Sequence, residues 1–364
     1  MNKNSKMPFN IQITKISKSR IEEVDFNHLP FGKIFTDHMF EADYIHGRWM
    51  NGRIRPIEKL PLHPANLTLH YGQSIFEGMK AGVDKEGNPM LFRPDMHVKR
   101  INKSAWRMDM PSIPEEVFME GLKQLLLLEK DWIPHQAGSA LYIRPFMFAT
   151  DEFIGVAPSE TYKFIILTLP VGPYYSHPVK LVIEEKFVRA VPGGTGEAKA
   201  AGNYAGSLLP ATLAKKKGFD QVVWMDAFEF KYIQEVGTMN LFFVFKNKVV
   251  TPATDGAILH GITRDSFIQL LKSWSIPIEE RPISVQEVFE AHHSGQLLEA
   301  FGAGTAAVAT NVASMTWGSD TITFDENNWS LSTKLRSTIN NMRDGSEPDP
   351  FGWTVPVYSE ATVE

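Results

Sequence analysis

The sequence VPGGTGEAKAAGNYAGSLL, residues 191–209, places a single lysine among small side chains. Lys199 is flanked by alanines and glycines, Tyr204 follows five residues later, and the pattern predicts a helix near residues 203–217. Small neighbours let a planar ligand approach closely and keep water from the amine, which favours a nucleophile that attacks aldehydes. A glycine-rich loop with one solvated lysine is the alternative. The spacing does not fit a G-x-x-x-x-G-K-[ST] phosphate loop.

Elements that could bind an anion or a ring nitrogen follow this lysine. Glu235 lies in an apolar strand region, and a helix is predicted to start near Gly261, leaving the amides of Ile262 and Thr263 open to a phosphate. The run FGAGTAAVA, residues 301–309, matches G-x-G-x-x-A, but a strand rather than a helix is expected after it. We therefore reject a dinucleotide site and expect a glycine-rich turn that binds a phosphate or carboxylate through amides and Thr305.

Two positively charged side chains precede the lysine. RPDMHVKRINKSAWRM, residues 93–108, predicts a helix on which Arg100 lies off the apolar stripe, either solvated or turned inward to an anion. SALYIRPFMF, residues 139–148, alternates as a strand, so Tyr142 and Arg144 share a face. A phenol beside a guanidinium suits a carboxylate, although a solvated pair on a sheet fits the pattern equally well.

Composition narrows the class of protein. The 364 residues suggest two domains, and the proline-containing segment 172–179 is the predicted linker between residues 1–171 and 180–364. The net charge of −5 offers no field for nucleic acid or an anionic membrane, and no apolar run is long enough to cross a bilayer. Cysteine is absent, which excludes disulfides and thiolate metal sites. No catalytic triad, carboxylate pair or metal-ligand spacing is present. We expect a cytoplasmic protein without a metal.

An amine, a nearby tyrosine, a buried acid and anion-binding turns together suit pyridoxal phosphate. The motifs RINKSAWRM, LYIRPF, GEAKAAGNYAGSLLPA, QEVGTMNLF, ILHGITRDS and FGAGTAAV resemble those of the branched-chain amino acid aminotransferases, and FTDHM and HYGQSIFEGMKA extend the likeness from about Phe31 to the C-terminus. The resemblance implies the fold type IV architecture, a mixed α/β fold with a smaller N-terminal α/β domain, a larger barrel-like C-terminal domain with helices, and a site between them.

The resemblance also assigns roles to residues. Lys199 matches the lysine that carries the cofactor, Tyr204 the partner of its phenolic oxygen, and Glu235 the partner of its ring nitrogen. The phosphate would be bound by Arg100, Ile262, Thr263 and Thr305. The substrate would be bound by Phe35, Tyr71, Phe76, Tyr142, Arg144, Tyr174, Thr238, Met239, Thr305 and Ala306, and by Ile154 and Val156 from the neighbouring subunit of a homodimer.

The implied reaction is transamination of leucine, isoleucine and valine with 2-oxoglutarate. D-amino acid aminotransferases and aminodeoxychorismate lyases share the lysine and the glutamate, but HYGQSIFEGMKA and LYIRPF favour the branched-chain group. A catalytically silent scaffold is the alternative from another class. Some animal members have a C-x-x-C thiol switch after the threonine; Ala307 and Thr310 occupy those positions here and exclude it.

Overall fold

The computed structural model describes residues 9–136, 138–172 and 177–358. The chain forms two compact units. The first contains residues up to Gly172 and from Arg343 onward, and the second runs from Pro173 to Met342. The predicted linker overlaps this boundary, although residues 173–176, including the predicted substrate residue Tyr174, lie outside the described residues.

The C-terminal segment corrects the predicted division, which assigned all of residues 180–364 to the second domain. The strand Thr354–Pro356 pairs antiparallel with Pro89–Phe92, so the chain after Arg343 packs with the first unit. The first unit therefore contains more of the chain than the second, which reverses the predicted order of sizes. A three-residue strand that contains a proline carries little local signal of the sheet it joins.

The first unit is built on one sheet of nine described strands. In chain order they are β1 (Ile11–Ile13), β2 (His38–Ile45), β3 (Arg48–Pro56), β4 (Ser74–Phe76), β5 (Met79–Val83), β6 (Pro89–Phe92), β7 (Ala140–Ala149), β8 (Tyr162–Val171) and, from the C-terminal segment, β18 (Thr354–Pro356). The order across the sheet is β1-β3-β2-β8-β7-β5-β6-β18, with β4 also paired to β7. Neighbours are antiparallel except β1 and β3.

Three α-helices among the described residues accompany this sheet: α1 (Leu67–Tyr71), α2 (Pro94–Arg107) and α3 (Glu115–Leu128). The predicted helix over residues 93–108 is confirmed as α2, with Pro94 in its first turn, where its missing amide hydrogen costs no helix bond. Its predicted apolar stripe is buried at Val98, Ile101 and Ala105. Apolar residues at helical spacing thus fix which face of α2 is buried.

The second unit contains a closed barrel. Its strands are β9 (Val179–Ile183), β10 (Gln221–Met225), β11 (Ile233–Val236), β12 (Met239–Phe245), β13 (Val249–Thr251), β14 (Ile278–Glu280), β15 (Leu297–Gly304), β16 (Val308–Trp317) and β17 (Asp320–Thr323). The order β11-β10-β9-β16-β15-β12 closes because β12 pairs back with β11. The remaining strands, β13, β14 and β17, extend the sheet at its sides. Closure leaves no exposed edge along the six central strands.

In the described part of the second unit, four α-helices accompany the barrel: α4 (Ala201–Lys216), α5 (Ile262–Ser273), α6 (Val285–His293) and α7 (Ser330–Arg343). Ser284 caps the N-terminus of α6, since its Oγ accepts a hydrogen bond from the Glu287 amide at 3.0 Å. The run after FGAG is the strand β16, as predicted, and no helix follows the glycines. Within the described residues, no helix combines the length and apolar character that a membrane span requires.

Candidate active site

Lys199 directly precedes Ala200, the N-cap of α4. The predicted helix is confirmed, and it starts at Ala201 rather than near residue 203. Its Nζ donates a hydrogen bond to the Tyr204 hydroxyl at 2.8 Å. Asn203, in the first turn of α4, fixes the preceding loop because its Nδ2 donates to the carbonyls of Thr195 and Ala198, each at 2.8 Å. The Lys199 amine and the Tyr204 phenol are therefore hydrogen-bonded through residues close together in sequence, at the N-terminus of α4.

Glu235 is a buried residue of β11, and its carboxylate is held by a residue that the sequence reasoning missed. Arg189 Nη1 lies 2.9 Å from Glu235 Oε2, and the two side chains are only 9% and 5% exposed. Arg189 also donates to the Ala257 carbonyl at 2.9 Å and to the Gly196 carbonyl at 3.3 Å. Arg189 thus ties the acid to the lysine loop and to the segment before α5.

The environment of Glu235 shifts its protonation. Burial raises the pKa of this carboxyl above its usual value, while the positive charges of Arg189 and, more weakly, Lys199 oppose the rise. Lys199 is thus close enough to act electrostatically on the acid. Another cation beside Glu235 would add to this opposition and bring its pKa down.

A cleft in the second unit joins these groups. Its lining includes the phenol of Tyr204 and the carboxylate of Glu235, together with Arg189, Asn203, Ser207, Gly237, Thr238 and Leu259. Thr238 is exposed at the hairpin turn, while Met239 is buried and packs against Gly302, where an added Cβ would approach its Cε to 2.8 Å. The structure thus brings Tyr204, Glu235 and Thr238 to one cleft, with Lys199 bonded to Tyr204.

Two backbone elements of the second unit present amides of the kind that bind phosphate. Ile262 and Thr263 are the first two residues of α5, after an N-cap at Gly261 that supplies no side-chain bond. Thr305 and Ala306 form the turn between β15 and β16. Val308, directly after that turn, has φ of +62°, a strained value for a β-branched residue. Strain of this kind concentrates at functional turns.

Substrate residues predicted for the first unit form a second cluster. Arg144 Nη2 donates to the Tyr142 hydroxyl at 3.0 Å, and the guanidinium lies 4.7 Å from the ring centroid of Phe76. Phe35 packs against the apolar group around Tyr142. An added Cβ at Gly78 would meet the Tyr142 hydroxyl at 2.1 Å, so this position requires glycine. The predicted shared face of Tyr142 and Arg144 is confirmed, and the solvated alternative is excluded for Tyr142.

Arg144 has an unused donor in this cluster. Among the described residues, its buried Nε has no hydrogen-bond partner. A buried donor without an acceptor is costly, and a bound carboxylate would satisfy it.

Arg100 turns inward from α2, but it meets a side chain of the protein. Its Nε and Nη2 each lie 2.7 Å from an oxygen of the buried Glu77, and His97 Nδ1 lies 2.7 Å from the same carboxylate. The solvated interpretation of Arg100 is therefore wrong, and the anion at its guanidinium is Glu77.

The remaining predicted residues lie on the surface. Tyr71 ends α1 and is 42% exposed, and Ile154 and Val156 are 70% and 91% exposed. None of the three contributes to the two clusters described above. Exposed apolar residues on a loop suit contact with another chain better than contact with a ligand inside the same chain.

Most of the chain matches a known family. The family model for amino-transferase class IV matches residues 74–315. The chain therefore belongs to the class IV aminotransferases, a family that uses pyridoxal phosphate.

Its relatives within the family are branched-chain enzymes. The chain is 47% identical over 358 residues to branched-chain-amino-acid aminotransferase 2 of Bacillus subtilis, covering 97% of this chain and 98% of the relative. The solved branched-chain amino acid aminotransferase from Escherichia coli superposes with a TM-score of 0.70 at 27% identity, covering 88% of this chain and all of the other. A branched-chain amino acid aminotransferase from T.th., solved with pyridoxamine 5'-phosphate, gives 0.68 at 26% identity, covering 87% of this chain and 98% of the other. The resemblance seen in the sequence is confirmed, and the chain is a transaminase of branched-chain amino acids.

Proposed function

We propose that this chain transfers the amino group of L-leucine, L-isoleucine or L-valine to 2-oxoglutarate, giving branched-chain 2-oxo acids and L-glutamate. The observation that carries the proposal is the Lys199–Tyr204 bond at the cleft that also contains Glu235. An amine, a phenol and a buried carboxylate with these neighbours match what pyridoxal phosphate requires of a protein.

The donor groups of the second unit fit this cofactor. Lys199 would hold the aldehyde carbon, Tyr204 the phenolic oxygen, and Glu235 the ring nitrogen. The amides of Ile262 and Thr263, with the Thr305 hydroxyl, would bind the phosphate. Arg100, which the resemblance assigns to the phosphate as well, lies in the first unit and is paired there with Glu77. When bound, the cofactor supplies a carbonyl carbon for amine exchange and a ring that accepts electrons.

The protein's own groups move and orient the proton. Lys199 Nζ, once neutral, is the base that removes the α-proton of the amino acid. The Tyr204 hydroxyl, at 2.8 Å, orients that amine. Arg189 opposes in part the rise in pKa that burial causes at Glu235, and the ionised carboxylate would stabilise positive charge at the ring nitrogen. Chemistry at the α-carbon thus depends on the protonation of two side chains, Lys199 and Glu235.

The first unit supplies the proposed receptor for the substrate. Arg144 and the Tyr142 hydroxyl would bind the second carboxylate of glutamate, and the rings of Phe35 and Phe76 would contact aliphatic side chains. The Ala306 amide would bind the α-carboxylate. The resemblance also assigns Tyr71, Tyr174, Thr238 and Met239 to the substrate.

We also propose that the protein is a cytoplasmic homodimer in which Ile154 and Val156 contact the other subunit. Their exposure on the loop between β7 and β8 supports this assembly. Light scattering after size exclusion should give twice the chain mass. Replacing both residues with serine should weaken the dimer, and a monomeric wild-type protein would contradict the proposal.

Lys199→Ala tests the central residue. We expect wild-type protein with pyridoxal phosphate to convert L-leucine and 2-oxoglutarate to L-glutamate, and the variant to lose this turnover while remaining folded. Arg336→Ala, at a half-buried arginine elsewhere in the second unit, is the control and should retain activity. Preference for D-alanine in the same assay would favour a D-amino acid aminotransferase, and absence of turnover in wild-type protein would favour a scaffold.

A further inference from the structure

Asn240 contacts the proposed ring-nitrogen partner Glu235 without being one of the proposed cofactor ligands. It is a buried residue of β12, 5% exposed. On one side it lies opposite Glu235 of β11, and on the other it lies opposite Ala303 of β15, two residues before Thr305. A single strand position is therefore flanked by the acid and by the strand that leads into the glycine-rich turn.

The Asn240 side chain adds a third connection. Its Nδ2 donates to Glu235 Oε1 at 3.0 Å and to the Leu259 carbonyl at 3.0 Å, which uses both of its hydrogens. Leu259 is three residues before the start of α5 at Ile262. The amide therefore joins the carboxylate to the segment that begins the proposed phosphate-binding helix.

Gly261 makes this arrangement possible. An added Cβ at Gly261, the N-cap of α5, would lie 2.0 Å from Asn240 Oδ1 and 3.2 Å from its Cγ. The backbone of Gly261 has φ of −68°, which any residue can adopt, so close approach of the Asn240 amide is what requires glycine here. The Asn240 amide thus lies against both Leu259 and the N-cap.

The two oxygens of Glu235 have different partners. Arg189 Nη1 contacts Oε2, whereas the neutral amide of Asn240 contacts Oε1. The uncharged donor fixes the orientation of the carboxylate without adding a second positive charge. A positively charged ring nitrogen would then meet a carboxylate whose orientation is fixed and whose negative charge is only partly compensated.

We infer that Asn240 is a positioning residue that sets the distance and orientation between the ring-nitrogen partner Glu235 and the phosphate-binding N-terminus of α5. This inference rests on the proposed function, since it assumes that Glu235 and α5 bind the two ends of one cofactor. Each end would be recognised by a different element, and Asn240 donates both to Glu235 and to the Leu259 carbonyl in the segment that leads into α5.

The test compares cofactor binding with phosphate binding. Wild-type apoprotein, Asn240→Ala and Asn240→Asp are titrated with pyridoxal phosphate and, separately, with inorganic phosphate. Loss of hydrogen bonds to a charged group should weaken pyridoxal phosphate binding about tenfold or more. Phosphate binding should weaken about threefold, because the start of α5 loses its link to β12.

Asn311→Ala is the matched control. Asn311 is a buried asparagine of β16 in the same barrel, and its Nδ2 donates to Ser332 Oγ at 2.7 Å, away from Glu235. Its replacement should lower thermal stability as Asn240→Ala does, while changing either affinity less than about twofold. Equal effects of the two variants on both affinities would reduce Asn240 to a structural role and overturn the inference.

Gly261→Ala would place a Cβ against the Asn240 amide and displace it. This variant should therefore reproduce the weakened binding of both ligands. In a Glu235→Gln background, Asn240→Ala should retain its effect on inorganic phosphate and lose most of its effect on pyridoxal phosphate. Unchanged affinities in every Asn240 variant would contradict the inference while leaving the proposed function intact. Failure of wild-type protein to bind pyridoxal phosphate would instead refute the proposed function itself.

Discussion

Two buried carboxylates, one in each unit, are both paired with arginine and yet are shifted in opposite directions. Burial raises the pKa of Glu235, and Arg189 reverses this only in part. Burial also acts to raise the pKa of Glu77, but Arg100 and then His97 overcome it and hold that pKa well below its usual range. The difference shows that burial beside an arginine does not by itself decide in which direction the pKa of a carboxyl group shifts.

Hydrogen-bond geometry explains the difference. Arg100 contacts both oxygens of Glu77 with two nitrogens at 2.7 Å, and His97 adds a third bond. Glu235 receives one arginine nitrogen, a neutral amide from Asn240 and a backbone hydrogen bond from Leu259. A bidentate guanidinium compensates a carboxylate far better than a single contact does. Glu77 is therefore a closed structural pair, whereas Glu235 remains responsive to another positive charge.

Removing the charge of Glu235 should mainly reduce catalytic activity. Glu235→Gln should lower kcat by about 10³-fold, because the ring nitrogen loses the carboxylate that keeps it protonated. Its free energy of unfolding should fall less than that of Glu77→Gln, because Arg189 keeps its hydrogen bonds to the Ala257 and Gly196 carbonyls. Steady-state kinetics with L-leucine measure the effect, and activity within tenfold of wild type would contradict the assigned role.

Removing the charge of Glu77 should instead reduce the free energy of unfolding. Glu77→Gln leaves the buried Arg100 without its counter-charge and should cost about 3–5 kcal/mol in urea unfolding at pH 7. Because the folded pKa is lowered, the stabilisation from Glu77 is present above about pH 4.5 and is lost as pH falls toward the folded pKa. The gap between variant and wild type should therefore narrow in acid. An equal gap at pH 7 and at the lowest pH where both fold would contradict this.

Lys80 extends the comparison to a buried cation in the first unit. Burial, with the charge of Arg343, lowers the pKa of Lys80 to about 7 from 10.5. Between these values the unfolded chain binds a proton that the folded chain lacks, so stability rises with pH. Wild type should gain on the order of 2 kcal/mol between pH 7 and pH 9 relative to Lys80→Met. Parallel pH profiles for the two proteins would disprove the shift.

Arg144 is a third arginine to set beside Arg189 and Arg100. Its described contacts are the Tyr142 hydroxyl and the rings of Phe76 and Tyr142. Arg144→Ala should raise the KM for L-glutamate about tenfold more than that for L-leucine, because only glutamate carries a second carboxylate. Initial rates over a concentration series for each amino acid measure this selectivity. Equal losses for the two substrates would count against the proposed receptor.

Local sequence patterns predicted much of the framework. Strand alternation placed Tyr142 and Arg144 on one face, and helical spacing gave the buried face of α2. The glycine run 302–304 was correctly expected to lead into a strand, because Val308, Ala309 and Val312 favour extended structure over a helix. These features depend on neighbours within a few residues.

Features set by distant contacts were not predicted. Arg189 is 46 positions from Glu235, and nothing in its own neighbourhood marks it as the partner of an acid. Asn240 acquires its position from barrel pairing, since β12 must lie between β11 and β15 before its side chain can contact Glu235. Arg100 was correctly placed on a helix, but the choice between solvent and Glu77 depends on packing between α2 and the loop between β4 and β5. Such pairings require the folded topology.

Covalent mapping tests the central claim most directly. Wild-type protein is incubated with pyridoxal phosphate, reduced with borohydride, digested and examined by mass spectrometry, with Lys199→Ala treated in parallel. The account predicts that the reduced cofactor is attached at Lys199 in wild type and that this adduct is absent from the variant. Attachment at another lysine, or none in wild type, would contradict it.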